Sequence, residues 1–69
     1  MRLRIRELRE DKDIKQEVIA KYLNVTQETY ARYESGNINI PIENLIKISK
    51  YHNTSLDYIT YLSDNPNFK

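Results

Sequence analysis

Residues 25–36 read "VTQETYARYESG", and the fold turns on whether this stretch is a helix that reads a partner or one that only fills a core. Thr26 is a good N-cap, because its hydroxyl can accept from a backbone N–H of the first turn. Gly36, after Ser35, supplies the left-handed residue that commonly ends a helix. Residues 27–34 between them are expected to be helical. At about 100° per residue, Tyr30 and Tyr33 fall near one side, which would face the core. Gln27, Glu28, Ala31, Arg32 and Ser35 fall on the other. Glu28 raises the difficulty, since a carboxylate on a partner-reading helix repels an anionic partner.

Upstream, "KQEVIAKYL" (15–23) forms a second short helix, with Ile19, Ala20 and Leu23 as one apolar stripe. Lys15 is a poor cap, and Ile14 before it is placed to act as a hydrophobic staple. Asn24 tolerates the left-handed conformation that stops a helix tightly, and Val25 is expected to tuck inward. Only "NVT" (24–26) separates the two helices. Helices joined by so tight a turn cross steeply, as in a helix-turn-helix, here at about 16–34. In that motif the second helix enters the major groove and its N-terminal residues meet base edges. The outward residue types suit the task. Gln pairs with adenine, Arg with guanine, Glu accepts from the cytosine amino group, and a small Ala admits a thymine methyl.

Further out, "RLRIRELRED" (2–11) is rich in helix formers, with Ile5 and Leu8 on a shared face. Arg2, Arg4, Arg6 and Arg9 surround that face, and those at 2, 4 and 6 are expected to be solvated. "DKD" (11–13) is a stop, because Asp tolerates the left-handed region. "NINI" (37–40) is too brief for a strand and reads as a loop. Pro41 in the first turn opens a fourth helix, with Glu43 at its positive end and Ile42, Leu45, Ile48 and Ser49 at helical spacing. Asn53 stops it, after a half-buried His52. Ser55 caps a fifth helix, "LDYITYL" (56–62), with Leu56, Ile59 and Leu62 on one face. The reading is all-α: a compact bundle of five short helices in one domain over residues 1–62, with a short polar tail at 63–69.

Composition narrows the function. The chain has 69 residues, no cysteine and one histidine, so disulfides and thiolate metal sites are excluded and no metal role is expected of His52. The lack of cysteine fits a reducing compartment, and a cytoplasmic location is expected. No apolar run approaches the ~20 residues of a membrane span, and no signal-peptide pattern opens the chain. Neither a nucleophile–base pair nor a phosphate loop is visible, so an enzyme is not expected, nor a cofactor or small-molecule ligand. The net charge is only +1, whereas nucleic-acid binders are often strongly basic. Any case for DNA rests on how the charges are arranged. A helical protein-interaction or antitoxin-like module is the competing reading.

From Arg4 to Ile59 the chain resembles the phage-repressor (Cro/cI-like, Xre) helix-turn-helix domain, a lambda-repressor-like fold. The resemblance rests on "IRELRED" (5–11), "QEVIAKYLNVTQETYARYESG" (16–36) and "PIENLIKISKYHNTSLDYI" (41–59), taken in that order and separation. It implies a sequence-specific regulator of transcription, a repressor, binding double-stranded DNA as a homodimer on a palindromic operator. It assigns base reading to Gln27, Glu28 and Arg32. Contacts to the DNA backbone fall to Lys15, Gln16, Thr26, Thr29, Ser35, Asn37 and Asn39. Arg9 and Glu34 match a partly buried ion pair between the first and third helices. Leu56, Tyr58, Ile59, Tyr61 and Leu62 match a two-fold dimer contact. Asp13 and Asn24 stand where Gly is common, and Lys15 where Ser or Thr caps the second helix. Tyr30 replaces Ile or Val, so its hydroxyl requires a buried partner or an exit to solvent. Asn37 replaces a common Lys, which implies modest affinity per half-site.

Overall fold

A computed structural model describes residues 3–62, 64 and 65. The expected arginine at position 2 and most of the polar tail lie outside the described residues. Five α-helices follow one another: α1 Ile5–Asp11, α2 Gln16–Leu23, α3 Gln27–Ser35, α4 Ile42–His52 and α5 Leu56–Ile59. No strand occurs among the described residues. One core gathers a few side chains from each helix. Ile5, Ile19, Ala20, Leu23, Tyr30, Tyr33, Leu45, Ile48 and Ile59 are all buried, with Leu3, Leu8, Ile14, Val25, Ile40, Tyr51 and Leu56 packed against them.

The α2–α3 junction is built by local chemistry. Asn24 adopts φ 60°, ψ 41°, a conformation that Asn reaches at low cost. This lets the Val25 N–H reach back to the Ala20 carbonyl at 2.9 Å, satisfying a carbonyl that the helix end would otherwise orphan. Two residues later the Thr26 Oγ1 accepts from the Thr29 N–H at 3.1 Å and starts α3. Gly36 closes α3 at φ 80°. Lys15 at the head of α2 offers no side-chain cap bond. Asp13 is left-handed as expected, at φ 57°.

Several expectations change. Pro41 precedes α4 as its N-cap, and Ile42, at 60% exposure, faces solvent instead of the core. His52 is fully buried, not half-buried. The fifth helix covers Leu56–Ile59 only. Tyr61 turns left-handed, at φ 67°, and the Leu62 N–H returns to the Asp57 carbonyl at 2.8 Å. That is a helix-ending closure, and it leaves Leu62 80% exposed, off the apolar face it was expected to share.

Arg4, distant in sequence, packs against this closure. The Arg4 guanidinium carbon sits over the Tyr58 ring at 4.3 Å and the Tyr61 ring at 4.0 Å. Its Nε donates to the Tyr58 carbonyl at 2.7 Å, and its backbone N–H donates to the Ile59 carbonyl at 2.9 Å. Cation–π pairing favours a guanidinium between aromatic faces. Arg4 is therefore a clamp between α1 and α5, with a side chain only 16% exposed, and not part of a solvated face.

Candidate nucleic-acid interface

α3 divides as its periodicity requires. Tyr30 is 0% and Tyr33 6% exposed, and their rings meet edge to face with centroids 6.4 Å apart. Gln27, Glu28, Arg32 and Ser35 are exposed on the opposite side, with Ala31 half-buried between them. One recess is lined by Thr26, Gln27, Glu28 and Ala31. A second is lined by Arg6, Arg9, Gln16, Ala31, Glu34 and Ser35. Ala31 belongs to both, so a low floor runs along the outward face where a larger side chain would raise a ridge.

The polar groups around this floor have defined states. Thr26 is engaged as the cap of α3 and donates to the Thr29 hydroxyl at 2.9 Å, which leaves the Thr29 hydroxyl proton available to a partner. The Ser35 hydroxyl donates to the Arg32 carbonyl at 3.2 Å. That carbonyl also accepts from the Asn37 N–H at 3.1 Å. Lys15, Asn37 and Asn39 are exposed around the ends of α2 and α3. Glu28 and Arg32 approach to 4.0 Å along α3.

Behind the face stands the expected ion pair. The Arg9 Nε and Nη2 donate to the two Glu34 carboxylate oxygens at 2.6 and 3.1 Å, and Arg9 Nη1 donates to the Ile14 carbonyl at 2.8 Å. The side chains are 12% and 4% exposed. Burial pushes the Glu34 pKa up, but the hydrogen bonds from Arg9, the neighbouring Tyr30 hydroxyl, the Gln16 amide and the Arg9 charge outweigh it and hold the carboxyl below its ordinary range. The hydrogen bond to Glu34 raises Arg9 in turn. Removing one partner of such a pair strands a charge in the interior, at a cost of ~3–5 kcal/mol.

The same carboxylate holds Gln16, whose Nε2 donates to Glu34 Oε1 at 3.0 Å. An amide nitrogen carries two hydrogens, so one is fixed inward and the second remains for a ligand. This coupling was not legible in the sequence, because nothing local to Gln16 points at a residue 18 positions away. Tyr30 keeps its hydroxyl inside the fold, with no exit to solvent. The hydroxyl falls short of a well-formed hydrogen bond but lies beside the Glu34 carboxylate, and burial followed by that neighbour pushes its pKa above the ordinary phenol value.

The residues expected at a dimer contact separate. Ile59 is enclosed at 0% exposure in the core of this chain, which removes it from that set. Leu56 packs against the same core, and Tyr58 and Tyr61 hold Arg4. Leu62 is open.

Comparison with known proteins follows this geometry closely. The family model described as "Helix-turn-helix" matches residues 5–59, from the first residue of α1 to the last of α5. The chain belongs to the helix-turn-helix family, of the Cro/cI type. Among curated proteins it is similar to the uncharacterized HTH-type transcriptional regulator YobD of Bacillus subtilis (strain 168), with 29% identity over 66 residues. The match covers 96% of this chain and 59% of that protein, so the chain spans well under two thirds of its relative's length. No solved structure gives a significant match. Among the described residues there is no cluster of acidic, histidine or cysteine side chains that could hold a metal. No described helix is long and apolar enough to cross a membrane.

Proposed function

We propose that this chain is a sequence-specific DNA-binding regulator of transcription, acting in the cytoplasm as a homodimer on a palindromic operator, most simply as a repressor. The observation that carries the reading is the division of α3, with both tyrosines inward and a polar face of Gln27, Glu28 and Arg32 outward. α3 enters the major groove, where the Gln27 amide donates to and accepts from an adenine edge, the Arg32 fork donates to a guanine edge, and Glu28 stands between them. Gln16, oriented by Glu34, presents its second N–H to a phosphate at the head of α2. Lys15, Thr29, Ser35, Asn37 and Asn39 flank the groove and fix the register, with Thr26 acting through its cap. The dimer contact falls to Leu62 and the outer sides of Tyr58 and Tyr61. The relative's description as an HTH-type transcriptional regulator supports the same reading.

Selection of binding sites from random duplexes tests it. The expected product is a palindrome whose half-sites lie about one helical turn apart. Equal binding to all sequences would overturn the specific-regulator reading. A protein-interaction or antitoxin-like role is favoured by the net charge of +1. It requires DNA affinity to vary little with salt, whereas neutralised phosphates give a steep inverse dependence.

A further inference from the structure

Resting on that reading, we propose that Glu28 acts as the positioning residue of Arg32 and reads no base of its own. The two side chains approach to 4.0 Å, four residues apart, with Glu28 on the N-terminal side. That is the favourable order for a helical ion pair. It also has a direction. Side chains on a helix lean toward its N-terminus, and the carboxylate one turn back draws the guanidinium further the same way. Arg32 lies in the last turn of α3 and Glu28 in the first, while base edges are met by the N-terminal half of a recognition helix. The pair thus brings a fork rooted at the far end of α3 toward the end that enters the groove.

The backbone supports the aim. The Arg32 carbonyl is fixed by the Ser35 hydroxyl and the Asn37 N–H, so the stem of the side chain starts from a constrained point. Electrostatics agrees. Glu34, the other acid of α3, is neutralised by Arg9 behind the helix. Glu28, with a side chain 86% exposed, has Arg32 as the cation at hand on the outward face. An unpaired carboxylate there would oppose the approach of phosphates. A paired one removes that repulsion and leaves the donors of the guanidinium that point away from it free for guanine O6 and N7.

The experiment compares sites selected by the full chain with those selected by Glu28→Ala, Arg32→Ala and the double variant. Both residues are exposed, so folding is expected to survive and is checked by melting in the absence of DNA. Arg32→Ala should relax one guanine position by about tenfold or more. Glu28→Ala should relax that same position by about twofold, the scale of an exposed helical pair. It should have no further effect in the Arg32→Ala background. Loss of preference at a separate cytosine position on Glu28→Ala would mean direct base reading and overturn the proposal, as would no change at any position. Failure of the unmodified chain to select any sequence would instead overturn the specific-regulator reading on which this proposal rests.

Discussion

His52 is buried at 4% exposure with neither ring nitrogen hydrogen-bonded, beside the edge-on ring of Tyr51. Burial, assisted by the charge of Lys12, lowers its pKa from 6.5 to about 4. The neutral ring is therefore the form the fold accepts. Above pH 6.5 both folded and unfolded chains hold it neutral and stability is complete. As pH falls below that value the unfolded chain takes the proton first, and up to ~3 kcal/mol is lost by the time the folded pKa is reached. Glu34 adds a loss of the same sign only below the ordinary carboxylate value of 4.5, so the interval between the two belongs to His52. Melting temperature should drop between pH 6.5 and 4.5, and His52→Leu should flatten that drop while leaving stability at pH 7 equal or higher. A flat profile for the unmodified chain, or an undiminished slope in the variant, would contradict this account.

At the level of elements, the junctions carried their meaning in nearby residues. Asn24, Thr26, Gly36, Asn53 and Ser55 take the cap and left-handed roles their chemistry suggests, because each acts on backbone within one turn. Thr26→Ala should cost about 1 kcal/mol, read as a lower denaturation midpoint with unchanged slope. An unaffected midpoint would show that α3 is held by core packing alone. The fifth helix ends earlier than periodicity predicts, and its end is bonded to Arg4, distant in sequence and close in space. Periodicity alone reads "LDYITYL" as one continuous turn pattern. Ile42 misled for a related reason: correct helical spacing does not tell which end of the stripe the neighbouring helices cover.

Over the whole molecule, the order of helices and the outward face of α3 were legible, since they depend on patterns 3–4 residues apart. The network behind that face was legible only in part. The Arg9–Glu34 pair followed from resemblance. The attachment of Gln16 to it and the burial of the Tyr30 hydroxyl beside it depend on how three helices meet. The site is accordingly two layers, an outer one written in local sequence and an inner one assembled by packing.

The Arg4 clamp carries a kinetic consequence. It joins residues 54 positions apart, and closing so large a loop is entropically costly until the intervening helices have condensed. The clamp should therefore form after the rate-limiting step of folding and be the first contact to open. Arg4→Ala should speed unfolding in denaturant by several-fold while leaving the refolding arm almost unmoved. A slowed refolding arm would place the clamp in the folding nucleus instead. In the intact protein, the Arg4 amide, bonded to Ile59, should exchange its hydrogen sooner than the amides of α2 and α3. The two ends of the domain would then come loose together while the outward face of α3, the proposed DNA-reading surface, stays in place.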